Sequence, residues 1–225
     1  RLLGWEVSYF TGKVRSYLRY KGIPYDEEPI DFFEFSVLAK HRTGAAAIPI
    51  VVTPVGEWIQ DSSVILDRLE RSFPARPIVP TTPVHRFVAY LLELWADEFW
   101  IPSAMHTRWN FPENYALFER EVGAHLLPHA PRLLQNRAAA YAATQMRNHR
   151  EAVGIVPYQY ACLERWTESM LDLLEAHFAV HPYLLGGRPT LPDFALMGPL
   201  YGHLGRDPWP KRELVDKRPH VRAFI

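Results

Sequence analysis

Four prolines fall within ten residues, at Pro74, Pro77, Pro80 and Pro83. A helix cannot run through such a tract, because each proline lacks an N–H donor and clashes with the preceding turn. The tract therefore cuts the 225-residue chain into parts of different texture, 1–73 and 84–225, with 74–83 as a linker. Segments before it are short and change period often, and after it only helical periodicity persists. Lys+Arg and Asp+Glu are both 25, and this balance argues against a nucleic-acid binder, which carries a basic excess. Apolar residues make up 48% and charged residues 22%, as in folded globular chains. The single cysteine, Cys162, excludes an internal disulfide framework and a multi-cysteine metal site. It reads as a small buried apolar residue. The longest apolar candidate, Gly44 to Val52, is too short for a membrane span. The stretch from Arg1 to Glu6 lacks the apolar core of a secretory signal; a cytoplasmic location is the default expectation.

Trp5 to Phe10 alternates and is rich in aromatics, which predicts a strand. Thr11-Gly12 opens a helix whose apolar face includes Val14, Tyr17 and Leu18, with Lys13, Arg15 and Arg19 on its polar face. Gly22 and Pro24 mark its stop. Ile23 to Ile30 predicts a second strand, and Asp31 to Thr43 a polar connection with at most a short helix. Ile48 to Val52 and Glu57 to Ile59 flank a turn and predict an antiparallel hairpin. Asp61-Ser62-Ser63 caps a helix whose apolar face is Val64, Ile65, Leu69 and Phe73. Beyond the linker, helical patterns cover 84–109, 113–127, 131–149 and 157–180, and a last helix starts at Thr190. Pro102 should bend or end the first of these.

Four places carry candidate chemistry. Ser8 to Lys13 forms a strand-to-helix turn with free N–H groups and the positive end of a helix dipole. A hydroxyl there serves either as a cap or as a donor to an anion such as a thiolate. Pro49 opens an apolar strand, as an edge proline or as a cis bond; in the second case the backbone of Ile48 faces a peptide-like ligand. Gln60-Asp61-Ser62 is a helix cap, or a seat for a group with both an ammonium and a carboxylate. Thr190-Leu191-Pro192-Asp193 is a capping box.

In order and spacing, these segments resemble the glutathione S-transferase superfamily over nearly the whole chain, as a serine-type or related bacterial-like member. The similarity lies in Tyr17 to Tyr25, Ile48-Pro49, Asp61-Ser62 twelve residues further on, and most specifically Tyr183 to Phe194. The resemblance implies a thioredoxin-like N-terminal domain, with a mixed four-stranded sheet and helices (α+β), followed by an all-α C-terminal domain. It implies glutathione as co-substrate, with no metal. Ser8 falls at the catalytic hydroxyl position, and Tyr9 and Thr11 are the other candidate catalytic residues. Phe10, Lys40, Ile48, Pro49, Asp61 and Ser62 are the expected glutathione-binding set. Ile48 would hold the cysteinyl part, and Asp61 and Ser62 the γ-glutamyl end. Two positions depart from the family: Tyr9 stands where a proline is common and Ala47 where a lysine is common. Lys40, His41 and Arg42 are the nearby basic substitutes. Neither Ser8 nor Thr11 is cysteine, so a protein dithiol mechanism is excluded.

The expected reaction is addition of the glutathione thiolate to an apolar electrophile. A free thiol titrates near ~8.5, and lowering it by about two units needs about 2.7 kcal/mol. One hydrogen bond to the anion gives roughly 1.5–3 kcal/mol, and a helix N-terminus about 0.3–1, so no further cofactor is required. Trp100, His106, Arg108 and Trp109 are the expected electrophile-binding residues, on an aromatic helix that packing alone would also explain. The alternatives are a glutathione-dependent lyase, isomerase or peroxidase, or a non-catalytic binding protein. The family further implies a homodimer, pairing the helix that begins at Asp61 with the partner's first C-terminal helix.

Overall fold

A computed structural model describes residues 1–225. Four strands, β1 (Leu2–Gly4), β2 (Glu27–Pro29), β3 (Ile50–Val52) and β4 (Trp58–Gln60), form one sheet in the order β2-β1-β3-β4. β2 runs parallel to β1, while β3 is antiparallel to both β1 and β4. Alternate residues leave opposite faces. Leu2, Val51 and Ile59 pack with Val14, Tyr17 and Leu18 of α1 (Tyr9–Lys21) and Ile65, Leu66 and Leu69 of α3 (Ser62–Ser72). Leu3, Ile50 and Val52 turn the other way, onto Trp109, Phe118 and Val122. Between β2 and β3 a π-helical turn (Glu34–Ala39) runs into the short α2 (Lys40–Thr43). The Ile48–Pro49 bond is cis.

The strand expected over Trp5 to Phe10 is not there. β1 ends at Gly4, and Ser8, at φ −84° and ψ 129°, already caps α1. Trp5, Val7 and Tyr9 are all buried, but in different places. Trp5 stacks near Phe35 and donates to the Ile30 carbonyl, Val7 enters the sheet core, and Tyr9 enters the helical core. A turn between two cores reproduces the alternation of a strand. Gly22 ends α1 as expected, at φ 66° with its N–H on the Arg19 and Leu18 carbonyls.

The charged flank of α1 also departs from expectation. Lys13 and Arg15 are not solvated; they are 0% and 1% exposed. Arg15 grips both carboxylate oxygens of Glu27 on β2. Lys13 meets acidic groups from the helical part, described below.

After the proline tract come α4 (Pro83–Leu94), a π-helical turn (Trp95–Phe99) and α5 (Ile101–Asn110), with Pro102 in the first turn of α5 where its missing N–H costs nothing. α6 (Tyr115–Leu126) and α7 (Arg132–Asn148) form a hairpin, and α8 (Tyr160–Phe178) follows. α9 (Leu191–Pro199) leads into a π-helical turn (Leu200–Leu204), then the short α10 (Pro208–Pro210) and α11 (Pro219–Phe224). Cys162, expected in the core, is exposed on α8. No helix is long and apolar enough to cross a membrane.

The N-terminal end of α1 lies directly on α9 and the turn after it. A Cβ on Gly198 would sit 2.5 Å from the Tyr9 ring, and one on Gly202 would sit 3.2 Å from the Ser8 carbonyl oxygen. Glycine fits here because at Gly198 the Tyr9 ring, and at Gly202 the Ser8–Tyr9 backbone, take the space of a side chain. The capping box holds α9 in register: Asp193 accepts from the Thr190 N–H and hydroxyl and from the Leu184 N–H, at 2.8 to 2.9 Å. Because these bonds are buried, Asp193→Ala should cost about 2 kcal/mol. Thermal unfolding should then fall by about 4–8 °C; an unchanged midpoint would contradict the assignment.

Candidate active site

The polar atoms at the start of α1 are arranged by three local hydrogen bonds. The Ser8 N–H donates to the Trp5 carbonyl at 3.0 Å, the Gly12 N–H to the Ser8 carbonyl at 3.2 Å, and the Thr11 N–H to Ser8 Oγ at 3.3 Å. Ser8 Oγ is thus an acceptor toward its own helix, and its proton points elsewhere. Ser8 lines a cavity of about 290 Å³ in which 14 of 17 lining residues are hydrophobic. Phe10, Ile48, Met105 and Trp109 share that wall. One cavity therefore joins the α1 turn, the cis-prolyl segment and α5.

Asp61 and Ser62 lie at the start of α3. Asp61 has a φ of 76° and is exposed, while Ser62 is 6% exposed. A non-glycine residue in that region is strained by about 1–3 kcal/mol. Asp61 Oδ1 accepts from the Ser63 and Val64 N–H groups at 2.9 and 3.2 Å. Its other oxygen has no hydrogen bond within the chain. The Gln60 amide, one residue earlier, donates to the Ala45 and Ala47 carbonyls, so the segment before Ile48 is tied to the residue before Asp61.

Neither Asp61 nor Ser62 lines the cavity, and the other expected residues are placed differently again. Tyr9 contributes its ring to the cavity, but its hydroxyl donates to the Ala96 carbonyl inside the helical core. Burial, with Asp97 and Glu98 nearby, pushes its pKa well above the ordinary phenol value. Thr11 is fully buried against Gly4 and lies off the cavity. Pro49 is buried behind Ile48, and Lys40 is exposed on α2; neither lines the cavity. Of the four residues expected to bind the electrophile, Trp109 and Arg108 line the cavity and Trp100 and His106 do not. Trp100 is 0% exposed between Trp95 and Trp166. His106 faces α8, where Nε2 meets Glu164 at 2.8 Å and Nδ1 meets Asn110 at 2.6 Å. Each is displaced by one residue from a neighbour, Ile101 or Met105, that does line the cavity.

Several cavity residues had no sequence signal. Phe35, Phe118, Met146 and His203 come from four separate elements and meet only in the fold. A second polar cluster was also missed. Lys13 Nζ donates to Glu93 at 2.7 Å, Asp97 at 2.5 Å and Ser63 Oγ at 3.1 Å. The 93/97 spacing puts both carboxylates on one helical face, which was a legible signal. No cluster of three or more His, Cys, Asp or Glu is placed to hold a metal ion.

The cis-prolyl edge of a β2-β1-β3-β4 sheet, a capped α1 and an appended helical bundle define a thioredoxin-like domain joined to an all-helical domain. The chain belongs to the glutathione S-transferase superfamily: family models of the glutathione S-transferase N-terminal and C-terminal domains match residues 2–77 and 158–225. "Glutathione S-transferase U4" of Arabidopsis thaliana is 28% identical over 99 residues, and "Glutathione S-transferase U6" of the same plant is 32% identical over 100. The chain spans 44% of the length of each of these curated relatives. Among solved structures, a glutathione S-transferase from Rhodospirillum rubrum superposes with a TM-score of 0.60 at 16% identity, covering 100% of this chain and 84% of its own. One from Methylobacterium radiotolerans, in complex with glutathione sulfonate, gives 0.58 at 20% identity, covering 100% and 87%.

Asp97 yields a pH test. Burial pushes its carboxyl up to about 6, with Lys13 opposing and Glu93 and Glu98 adding. A raised carboxyl pKa stabilises the fold below pH ~4, and that contribution is lost as pH rises to about 6. Asp97→Asn leaves Lys13 paired with Glu93 and removes this loss. The variant's stability relative to wild type should therefore rise by about 2–3 kcal/mol between pH 4 and 7, read by urea unfolding. A flat difference would contradict the assignment.

Proposed function

We propose that this protein is a glutathione transferase that joins the glutathione sulfur to an uncharged apolar electrophile. The observation that carries this reading is Ser8. Its hydroxyl sits at the start of α1, its oxygen already accepts from its own helix, and its proton is free at the rim of an apolar cavity. Family membership supplies the glutathione. Its thiolate accepts the Ser8 proton as a hydrogen bond, at the positive end of α1. The Ile48 backbone pairs with the cysteinyl part, and Asp61 and Ser62 hold the γ-glutamyl ammonium and carboxylate. Lys40, His41 or Arg42 meets the glycyl carboxylate in place of the absent lysine at Ala47.

The thiol gives its proton to solvent, and the sulfur lone pair forms a C–S bond with the electrophilic carbon. The leaving group departs with its electron pair, or the pair stays on the adduct and is protonated. Ser8 bears on the first step by holding the anion. Trp109, Met105 and Phe118 receive the apolar body of the electrophile, where burial contributes about 25 cal/mol per Å².

A thiolate hydrogen bond contributes roughly 1.5–3 kcal/mol. Ser8→Ala should therefore lower kcat/KM for conjugation about 10–100-fold, while Tyr9→Phe, whose hydroxyl is committed to Ala96, should change it less than about threefold. The reverse pattern, or no loss in either variant, would refute the mechanism.

The same reading includes a homodimer. Val84, Phe87, Leu91 and Leu94 are 51% to 72% exposed along one face of α4, an apolar stripe that suits the partner's α3. Sedimentation at micromolar concentration should give about twice the 26.1 kDa chain mass, and Leu91→Glu should return it to one.

A further inference from the structure

Arg108 was expected at the electrophile, yet every one of its donors is spent inside the protein. Nε and Nη2 grip the two carboxylate oxygens of Asp207 at 2.8 and 3.0 Å. Nη2 also donates to the Gly202 carbonyl at 2.8 Å. Nη1 donates to the Val7 carbonyl at 2.7 Å and to His203 Nε2 at 3.2 Å. A guanidinium has five N–H donors and no acceptor, so nothing remains for a ligand. His203 Nε2 must be the acceptor in its pair. Burial and the Arg108 charge both hold His203 well below the ordinary imidazole pKa, which keeps it neutral as that pairing requires. Arg108 and Asp207 are 4% and 1% exposed.

The bond to Val7 matters most. The Val7 carbonyl and the Ser8 N–H belong to one planar peptide. Arg108 fixes its oxygen, and the Trp5 carbonyl fixes its N–H at 3.0 Å. A plane pinned at both ends fixes the Ser8 N–Cα bond, and with Ser8 at φ −84° this sets the direction of Cα–Cβ. The guanidinium also holds Gly202, the residue whose missing Cβ lets the Ser8 carbonyl approach. Both chains at this close contact are thus tied to one group.

We propose that Arg108 is a positioning residue for Ser8: by pinning the Val7–Ser8 peptide to Asp207 and Gly202, it aims the Ser8 hydroxyl at the bound thiolate. The proposal rests on the reading of Ser8 given above. It separates two roles that lie side by side in the cavity wall, since the N–H donors of Arg108 are all engaged within the protein.

The test is a cycle of Ser8→Ala, Arg108→Lys and the double variant. Lysine keeps the charge beside Asp207 but has a single ammonium and no planar fork. The pKa of bound glutathione is read from thiolate absorbance, glutathione affinity by calorimetry, and amide exchange by NMR. In Arg108→Lys the bound thiol pKa should rise by about one unit, a tenfold loss of thiolate below the pKa, with affinity within about threefold. The double variant should be no worse than Ser8→Ala alone, because Arg108 acts through Ser8. A bound-thiol pKa in folded Arg108→Lys unchanged from wild type, or additive losses in the double variant, would overturn the proposal. The Thr11 and Gly12 amides should exchange about tenfold faster in Arg108→Lys while those of β3 do not change; equal rates would also overturn it. If wild type binds no glutathione, the functional reading fails, and the exchange comparison still decides whether Arg108 positions the turn. Should Arg108→Lys not fold, Arg108→Met/Asp207→Leu replaces the pair by apolar groups and carries the same comparisons.

Discussion

Lys13 is fully buried, and the arrangement of the two parts of the chain depends on how its charge is met. An unpaired ammonium in the interior would cost several kcal/mol. Glu93 and Asp97, from α4 and the π-helical turn after it, supply the counter-charges, and Ser63 of α3 completes the cluster. This fixes the helical part against α1 and α3 at a defined place along α1. The contact of Gly198 and Gly202 with Tyr9 and Ser8 adds a second attachment at the start of α1. Helix α1 is thereby clamped along its length, and its N-terminus, with Ser8, faces the space left between the parts.

That clamp explains the division of labour among neighbouring hydroxyls. Tyr9 points into the helical core, where burial and the Ala96 carbonyl commit its proton. Thr11 points back under β1. Only Ser8 combines a hydroxyl with a place on the cavity wall and an oxygen oriented by its own helix. A cavity with so few polar groups makes any one donor count, because few lining groups compete with it.

Much of the fold was legible in local patterns. The helix stop at Gly22, the hairpin around Val55-Gly56, the cap at Asp61 and the box from Thr190 to Asp193 are set by short-range chemistry, and each stands where the pattern put it. Failures came where long-range packing decides. Trp5, Val7 and Tyr9 alternate because three successive side chains enter different surroundings, which a period of two imitates. Lys13 and Arg15 looked solvated because their partners lie 80 and 12 residues away. Cys162 looked like core because a free cysteine usually packs as a small hydrophobe, and the fold leaves it exposed on α8. Within the site, Ser8, Ile48 and Trp109 were visible because they sit at element starts or on an aromatic helix. Trp100 and His106 belong to the same stretch, but the π-helical turn and the break near Pro102 reset which face looks inward. His203 had no local signature.

The proposed reaction requires glutathione in the site between Ser8, Ile48 and Asp61. The most direct measurement is calorimetric titration of glutathione into wild type and Asp61→Asn. Asparagine keeps the oxygen that caps α3 while removing the charge opposite the γ-glutamyl ammonium. Wild type should bind one glutathione per chain, and the variant should bind at least about tenfold more weakly with an unchanged unfolding midpoint. No binding by wild type, or equal affinity in both, would contradict the account.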